Sequence, residues 1–427
     1  MNRIVYLLPQ GWERQSSGVY TFVRVVLREW EKRHECKVAE YPLLRTDQNA
    51  PVRRAEGSCA VELIPSFTRL ACGYGGELIS ELRRLWALRG ELRGRLIVLN
   101  DFGCELRPIA LRILFPFHRI IAISHTHPNL AKKDVWVRRL VEKLCYWSCS
   151  RVVFNSNALK YMWEQKLGRP IRRGAVVHHG MALPDSFEVP AEYPSKPSPD
   201  TIDFVCVGLF YNWKGQLALI EAWLEAMAAC SVPLHLVLVG NGACLEDARA
   251  RVRELKLEPH VVFSGFQKNG ADFFNGGDIA IHYPVEPEAF GLVLLEAMGR
   301  GKPIIAPAHG GATEIVVDGV TGILVEPGGG GGEKLKAESR KLKLRQYGGN
   351  TEDGGPRTTN EERSTKDQGP STKNQEHVSL VEAVCRLAED ENLRKRMGEA
   401  GRERVKTEFS VEKMLAGYDR VFRELAG

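Results

Sequence analysis

Two glutamates lie eight positions apart in the stretch EPEAFGLVLLEAMGRGKP, residues 286–303. Glu288 lies in a proline-bounded loop after the apolar stretch IAIHYP, whereas Glu296 lies inside an apolar run. Between them we expect a helix to begin at Gly291, and the first N–H groups of a helix attract phosphate because they have no partner within it. A carboxylate among apolar residues needs hydrogen-bond donors, so Glu296 requires a partner such as a sugar diol. The stretch therefore predicts a phosphate-binding site with a hydroxyl-binding carboxylate on each side.

Short β-branched runs alternate with helical patterns along the chain, which is typical of parallel sheets covered by helices on both faces. The strand candidates of the first half are residues 3–8, 96–100, 119–124, 151–154 and 174–178. Those of the second half are IDFVCVG from 202, LHLVLVG from 234, HVVFSG from 260, IAIHYP from 279, PIIAPA from 303 and GILVEP from 322. We predict an α/β protein with two doubly wound, Rossmann-like domains and ligands at the carboxyl ends of the strands.

The predicted N-terminal domain spans residues 1–188, and the segment 189–200 (VPAEYPSKPSPD) is proline-rich, which suits an extended hinge. The C-terminal domain is expected at 201–409. It contains the glycine-rich, repetitive segment 328–377, which has too few large apolar residues to offset its ordering entropy. We predict a disordered insertion without a catalytic role there; a regulatory segment is the alternative. A last helix, 410–427, has an apolar stripe that is expected to pack, with the N-terminal domain as a candidate surface.

The length of 427 residues suits two domains, and no apolar run approaches the roughly eighteen residues that span a bilayer. No signal-peptide pattern follows Arg3. The ten cysteines are scattered without CxxC spacing, so we expect reduced, mostly buried thiols in a cytoplasmic protein. About 30 Lys and Arg face about 18 Asp and Glu up to residue 190, so an anionic partner would bind the first half.

Residues 286–328 resemble the glutamate-x7-glutamate signature of the retaining glycosyltransferases of family 4, the glycosyl transferases of group 1, which have the GT-B fold. The similarity includes VGLFYNWKGQLALIEAW from 207, LVLVGNG from 236, VVFSGF from 261 and MGEAGRERVKTEF from 397. These pieces occur in the family's order. The resemblance implies a GT-B fold in which the two sheets face an interdomain cleft.

The resemblance also implies roles for residues of the second half. Glu296 would hold the ribose hydroxyls of a nucleotide-sugar and Glu288 the transferred hexose, and pairing within the fold is the structural alternative for both. The diphosphate would meet the loop formed by Phe290, Gly291 and Leu292. Lys214 matches the lysine that neutralises the departing diphosphate, and its position after a strand favours that role over a solvated charge. The arginine that commonly precedes this lysine by five residues is replaced by Leu209.

Fewer positions of the first half match the family. Gly18 resembles a glycine of the loop that faces the donor phosphates, with a plain helix start as the alternative. His125 follows a predicted strand where the family often has a histidine close to the hexose, and His127 is the competing candidate. Asn100 and Asp101 end the preceding predicted strand and are weaker candidates for the same cleft.

Three further segments match in part. Ser156 corresponds to a serine that follows the family's strand and could also serve only as a helix cap. In VVHHGMALPD, His179 and Ala182 replace the usual asparagine and aspartate, so no role is assigned there. The backbone near Gly265 and Phe266 lies where relatives bind the nucleotide base.

The implied reaction is transfer of a sugar from a nucleotide diphosphate donor to an acceptor hydroxyl of a glycan, polysaccharide or glycolipid precursor, with retention of configuration. The sequence has no Asp-x-Asp triplet, so neither a catalytic divalent metal nor another cofactor is expected. A non-catalytic relative that binds nucleotide-sugar is the alternative, which Leu209 motivates. A GT-B-fold epimerase is disfavoured because the signature matches the transferases throughout.

A basic, aromatic stretch in the first half suggests a peripheral contact with an anionic membrane on the cytoplasmic side. Its basic residues are Lys132, Lys133, Arg138, Arg139 and Lys143, interleaved with Trp136, Leu140, Leu144 and Trp147. A core-facing stripe beside a solvated face is an equal alternative. No recognised motif accompanies the charge, so nucleic acid is not an expected partner.

Overall fold

The computed structural model describes residues 3–9, 23, 25–30, 35–41, 78, 82–83, 85–92, 96–100, 106–128, 136–184, 186–326 and 377–426. Two six-stranded sheets form in this part of the chain, one from strands that end by Val176 and one from strands that begin at Ile202. Every strand pairing between named strands is parallel. The predicted fold class, two doubly wound Rossmann-like sheets with helices, is confirmed.

The first sheet has the strand order β2-β1-β3-β4-β5-β6. Its strands are β1 Arg3–Pro9, β2 Glu35–Tyr41, β3 Leu96–Leu99, β4 Ile120–Ser124, β5 Arg151–Phe154 and β6 Gly174–Val176. The helices described between them are α1 Arg89–Leu92, α2 Arg107–Leu114, α3 Trp136–Ser148 and α4 Asn157–Leu167. The sequence patterns predicted five of these strands within a few residues, and β2 was missed.

The second sheet has the order β12-β11-β10-β7-β8-β9. Its strands are β7 Ile202–Val207, β8 Leu234–Val239, β9 Val261–Gly265, β10 Ile279–Ile281, β11 Ile304–Pro307 and β12 Gly322–Val325. Its helices are α5 Gln216–Ala229, α6 Leu245–Glu254, α7 Phe273–Gly276, α8 Leu292–Gly299, α9 Ala312–Ile315, α10 Leu380–Glu389 and α11 Glu391–Glu408. All six strands were predicted, because each is a short β-branched run bounded by turn residues.

Each sheet is covered on both faces by buried apolar side chains. In the second sheet, Phe204 and Leu236 pack with α5 and α10, whereas Val205 and Val237 face α8 on the opposite side. Neighbouring strand residues point to opposite faces, so nearly continuous apolar strands are what a sheet buried on both sides requires. These cores fix the strand ends, from which the polar loops extend.

The last helix, α12 Val411–Ala426, packs on the first sheet rather than on the second. Its residues Met414, Tyr418 and Phe422 contact Trp30 and the apolar face of β1, β3 and β4. The chain therefore crosses twice between the sheets, and the two crossing segments touch where Met181 N–H donates to the Phe409 carbonyl at 2.8 Å.

The linker 189–200 contains no helix or strand, but its second part is attached to the second sheet. The Tyr193 hydroxyl donates to Asp203 at 2.9 Å, and the Lys196 ammonium contacts Asp278 at 2.6 Å. Burial, followed by the charge of Asp203, raises the pKa of Tyr193 beyond its usual range, so this phenol stays a donor. The second part of the linker is therefore attached to the second sheet.

The expectation that all cysteines are reduced thiols is wrong for one pair. Cys230, at the end of α5, and Cys385, on α10, form a disulfide bond, and their Cα atoms lie 5.1 Å apart. The pairing arises because α5 and α10 pack side by side, although 155 residues separate the two cysteines. Cys145, Cys149, Cys206 and Cys244 are buried thiols outside this disulfide, as expected.

Two sequence predictions concern segments at the edges of this description. The insertion at 328–377 lies outside the described residues except for His377. The helix α10 that follows it begins at Leu380 with Ser379 as its N-cap, whose hydroxyl accepts from the Glu382 N–H. Within the described ranges, no helix combines the length and apolar character needed to cross a bilayer.

Candidate active site

The candidate site lies where β7 and β10 adjoin at the centre of the second sheet. Here the order of connections reverses, since β8 follows β7 on one side and β11 follows β10 on the other. Such a reversal opens a crevice at the carboxyl ends of parallel strands. Lys214 follows β7 and Glu288 follows β10, and Lys214 Nζ lies 2.5 Å from Glu288 Oε1. The structure thus brings together two residues that the sequence analysis selected separately.

Lys214 ends a 3-10 turn, Asn212–Lys214, and the residue after it must be glycine. Gly215 has φ +76°, and a Cβ there would lie 1.9 Å from the Tyr283 carbonyl oxygen. This close approach holds the lysine loop against the end of β10. The Lys214 ammonium also lies 4.4 Å from the centre of the Trp213 ring.

Glu288 has two cationic or donor partners, and both of its oxygens are used. Oε1 accepts from Lys214, and Oε2 lies 2.5 Å from His282 Nε2. Burial by itself would raise the pKa of Glu288, but the charges of Lys214 and His282 and their hydrogen bonds hold it well below its usual range. Glu288 is therefore ionised, and as an acceptor it requires a proton on His282 Nε2.

Two glycines that follow β11 let the chain there approach the backbone of the loop 288–291 closely. A Cβ at Gly310 would lie 2.6 Å from the Glu288 carbonyl oxygen, and one at Gly311 would lie 2.3 Å from that of Phe290. Gly311 N–H donates to the Glu288 carbonyl at 2.8 Å. Gly291 has φ +99° and is the N-cap of α8, so the N–H groups of Leu292 and Val293 precede the first bond of the helix, which the Leu294 N–H makes to the Gly291 carbonyl at 3.0 Å. The sequence prediction of a helix beginning after Gly291 is correct.

Glu296 lies on α8 and is half-buried rather than enclosed. Burial raises its pKa, which the nearby Arg300 partly offsets and Asp272 reinforces. The Arg300 guanidinium donates to Asp272 at 2.6 Å and to the backbone carbonyl of Glu296. Within the part of the chain that the structure describes, no group donates a hydrogen bond to the Glu296 carboxylate. This carboxylate has capacity for donors from outside the protein.

The first sheet contributes a buried hydrogen-bonded network at the carboxyl ends of its strands. His125, after β4, has Nε2 3.0 Å from Asn100 Oδ1 and Nδ1 3.3 Å from His179 Nε2. The Tyr6 hydroxyl donates to Asn100 at 2.7 Å, and Asn155 lies 3.3 Å from His179. Burial lowers the pKa of His125 to about 3, and burial followed by the neighbouring histidines lowers that of His179 well below its usual value. Both rings are neutral at physiological pH.

Several contacts join the two sheets around these residues. Ser156 caps α4 by accepting from Leu159 N–H, and its hydroxyl also donates to the Ala289 carbonyl of the second sheet. Phe290 is buried and packs on His178 and His179, with ring centres 5.9 and 5.3 Å away. Ser156 is therefore more than a helix cap.

Glu314 makes the most polar of the joining contacts. Its carboxylate, on α9, accepts from the backbone N–H groups of Asn157 and Ala158 at the start of α4, and from His178 Nε2 at 2.8 Å. Burial would raise the pKa of Glu314, but the bonds from His178 and the α4 backbone keep it below its usual range. A carboxylate at a helix N-terminus is a favourable arrangement.

The remaining predicted positions are spread around this core. Leu209 is 51 % exposed after β7, and Phe266 is 64 % exposed after β9, beside Gly265 with φ +67°. His127 is exposed, with its ring 6.0 Å from Trp213. Gly18 and Asp101 lie outside the described residues.

Sequence reasoning missed His282, Trp213, His178 and Glu314. His282 had a usable signal, since it is a polar residue that interrupts the apolar strand stretch IAIHYP at its carboxyl end. Trp213 adjoins the predicted lysine. Nothing local marked Glu314 or His178, because their partners lie more than 130 residues away in the chain.

Comparison with known proteins agrees with the fold. The family model "Glycosyl transferases group 1" matches residues 201–342. N-acetyl-alpha-D-glucosaminyl L-malate synthase of Bacillus anthracis is 28 % identical over 200 residues, which cover 47 % of this chain and 40 % of that protein. The chain thus matches less than half of that relative's length.

Solved structures extend the similarity to the whole fold. Anabaena HepE in complex with UDP and glucose superposes with a TM-score of 0.63 at 18 % identity, covering 99 % of this chain and 100 % of that one. Sucrose-phosphate synthase of Thermosynechococcus elongatus gives a TM-score of 0.66 at 19 % identity, covering 100 % and 99 %. The chain has the GT-B fold, and its sequence resemblance to the glycosyl transferases of group 1 is confirmed.

Proposed function

We propose that the protein is a retaining glycosyltransferase of the family 4 type, which transfers a sugar from a nucleotide diphosphate donor to an acceptor hydroxyl. The observation that carries this proposal is the contact of Lys214 with Glu288 at the β7–β10 crevice, beside the open start of α8. A cation, a carboxylate and free backbone N–H groups are the groups that a sugar attached to a diphosphate requires.

The donor is a nucleotide-sugar on two grounds. HepE, which shares the fold, was solved with UDP and glucose, and the family model covers the half of this chain that contains the crevice. In this half, Glu296 has free acceptor capacity for a ribose diol, and Phe266 exposes an aromatic ring near the proposed base site. Base identity would be read by backbone groups near Gly265.

The reaction breaks the bond between the anomeric carbon and the diphosphate oxygen and forms a bond from the acceptor oxygen to the same face of that carbon. The acceptor proton passes to the departing diphosphate. Lys214 and the start of α8 stabilise the negative charge that develops on the leaving group, and Glu288 orients the hexose hydroxyls. His125 is neutral and its ring nitrogens contact Asn100 and His179, so its part in the proposed reaction is to order the first-sheet side of the site without adding charge.

Metal independence stays a prediction, based on the absence of an Asp-x-Asp triplet from the sequence. Turnover should persist after dialysis against EDTA. A loss of activity that added Mg²⁺ or Mn²⁺ restores would contradict it.

The experiment for the main proposal screens a panel of UDP-, GDP- and ADP-sugars by thermal shift and then measures release of nucleoside diphosphate. The true donor should stabilise the protein by mass action and be hydrolysed or transferred. Lys214→Ala and Glu288→Ala should abolish release. Proton NMR of the fresh sugar product should show the donor's anomeric configuration, and inversion would refute the retaining assignment.

Leu209 favours one competing function, a nucleotide-sugar-binding protein without turnover. It provides an exposed apolar side chain where relatives commonly have a second cation. A protein that only binds nucleotide-sugar would be stabilised by it in the thermal-shift screen but would release no nucleoside diphosphate, whichever acceptor is added. The same panel therefore separates the two functions.

We further propose that the acceptor is carried at an anionic membrane surface, where α3 would lie. Leu140, Leu144 and Trp147 of this helix are 47, 37 and 56 % exposed, and Arg139 and Lys143 are exposed beside them. Arg169 lies 5.9 Å from the Trp147 ring centre and adds charge to this face. Exposed apolar residues flanked by cations are typical of interfacial helices.

Flotation with vesicles that contain phosphatidylglycerol tests the membrane proposal. The protein should float with these vesicles and not with purely phosphatidylcholine vesicles. The double variant Arg139→Glu/Lys143→Glu should stay at the bottom, whereas Lys395→Glu/Lys406→Glu, an equal charge change on α11, should still float. Absence of flotation of the parent protein would remove this part.

A further inference from the structure

We propose that Trp213 and His282 are positioning residues that hold Lys214 and Glu288 from opposite ends, and this inference rests on the proposed function. The four side chains form a row: the Trp213 ring, the Lys214 ammonium, the Glu288 carboxylate and the His282 ring. The three successive separations are 4.4, 2.5 and 2.5 Å. The row lies across the crevice, from the end of β7 to the end of β10.

The Trp213 end fixes a flexible cation. A lysine side chain has four rotatable bonds, and an ammonium above an indole face is held by the negative charge of that face. The position five residues before Lys214, where a second cation would share the diphosphate, is Leu209. Lys214 is therefore the cationic side chain of this loop, and the orientation of its ammonium group matters more. The neighbouring Trp213 indole restricts that orientation.

The His282 end keeps Glu288 satisfied when the lysine is drawn away. In the structure Lys214 is paired with Glu288, so a diphosphate that engages Lys214 weakens this pair. A buried carboxylate that loses one partner is costly unless another donor remains. The His282 Nε2–H supplies that donor at 2.5 Å, from a ring whose side chain is only 8 % exposed.

The row also touches the first sheet. The rings of His127 and Trp213 are nearly perpendicular, with centres 6.0 Å apart. The indole therefore contacts a residue that follows β4 of the first sheet as well as Lys214 of the second half. Trp213 further accepts the Val285 N–H at its carbonyl, at 2.9 Å, which fixes its backbone to the loop that leads to Glu288. The Trp213 backbone is therefore fixed to the loop that leads to Glu288, and its ring contacts His127 as well as Lys214.

The chain offers matched pairs outside the site that serve as controls. Arg89 lies 5.1 Å from the ring of Trp86, which is another exposed tryptophan with a cation over it. His235 contacts the buried Asp203 at 3.0 Å, at the amino ends of β7 and β8 and away from the crevice. Trp86→Leu and His235→Leu thus remove the same kinds of contact without touching the row.

The test measures kcat and KM for nucleoside diphosphate release together with the thermal midpoint of each variant. Trp213→Leu and His282→Leu should lower kcat roughly 10-fold to 100-fold with KM changed less than about 3-fold, as misaligned catalytic groups do. Trp213→Phe and His282→Gln, which keep an aromatic face and an N–H donor, should recover most of the rate. The control variants should keep kcat, even where His235→Leu lowers the thermal midpoint.

A second readout does not depend on turnover. Peptide mass spectrometry after brief treatment with acetic anhydride reports how freely the Lys214 amine reacts. Labelling should be several-fold faster in Trp213→Leu than in the parent and unchanged in Trp213→Phe, whereas His282→Leu, which leaves Lys214 as the partner of Glu288, should not make it faster. Parent-like kcat in either leucine variant, parent-like labelling in Trp213→Leu, or equal losses in the conservative variants would overturn the proposal. A parent protein that turns over no donor would instead refute the proposed function.

Discussion

The two halves of the cleft differ in charge. The half built on the first sheet is a neutral network of His125, His179 and Asn100, in which burial keeps both imidazoles unprotonated. The half built on the second sheet is ionic, with Lys214, an ionised Glu288 and a proton on His282. A nucleotide-sugar has the same division, because its hexose is a neutral polyol and its diphosphate is an anion.

The two halves show how burial affects the protonation of a histidine and of a glutamate. A buried histidine without a carboxylate partner loses its proton, since desolvation penalises the charged form. A buried glutamate that faces a lysine keeps its charge, since the attraction exceeds the same penalty. The partners of a side chain removed from water therefore decide whether it is neutral or charged.

The largest expected effect comes from removing the cation of the ionic half. Lys214→Met should lower turnover about 10³-fold, because charge on the leaving diphosphate loses its partner. Lys406→Met, an exposed lysine on α11, should leave turnover unchanged. Steady-state kinetics with the donor from the panel would measure both, and a loss below tenfold for Lys214→Met would break the contrast between the halves.

The next effect concerns the contact that joins the halves. Glu314→Ala removes the acceptor for the α4 backbone and for His178, which should cost about 1–3 kcal/mol of unfolding free energy. Urea unfolding would measure the cost, and small-angle scattering should show a larger radius of gyration as the sheets separate. Glu314→Gln keeps an acceptor oxygen and should lose less. Identical scattering for Glu314→Ala and the parent would show that this contact does not set the distance between the halves.

A smaller effect distinguishes the two carboxylates within the ionic half. Glu296→Gln should raise KM for the donor about 10-fold with little change in kcat, because Glu296 binds hydroxyls of the donor away from the reacting bond. The control Glu399→Gln changes an exposed glutamate on α11 and should alter neither constant. If Glu296→Gln lowered kcat as Glu288→Ala does, the two glutamates would share one role.

The smallest effect is a pH dependence of stability that belongs to the neutral half. His125 has a pKa of about 3 in the folded protein and about 6.5 when unfolded, so between these values only the unfolded chain gains its proton. Stability therefore falls as the pH drops below about 6.5, by at most about 1.4 kcal/mol per pH unit for this group.

His125→Asn should remove that part of the fall. Urea unfolding at pH 7.5, 6 and 5 should show the variant gaining on the parent as the pH drops. The lowered pKa of Glu288 acts differently: its stabilisation is complete above about 4.5 and is lost only as the pH falls further. A parent and variant with parallel curves between pH 7.5 and 5 would mean that His125 is protonated in the folded state.

Local patterns were enough to predict much of the ionic half. The strands around β7 and β10 are apolar runs bounded by turn residues, and Lys214 and Glu288 follow them directly. Parallel strands bring their carboxyl ends to one edge, so strand-end residues meet there by topology alone. The missed β2, ECKVAEY, mixes charged and apolar residues as an edge strand can, so its pattern was weak.

The sequence alone predicted eleven of the twelve described strands, the parallel two-sheet class, the strand-end residues Lys214 and Glu288, and Glu296 on the helix that follows. The partners of these residues depended on the three-dimensional packing. Glu288 and its neighbour His282 meet Lys214 across a sequence separation of 74 positions from Lys214 to Glu288, Glu314 meets the start of α4, and Cys230 meets Cys385. Hydrophobic periodicity and helix capping depend on residues within one or a few helical turns or strand residues. Ion pairs, disulfides and pKa values depend instead on which surfaces, distant in the sequence, are packed together.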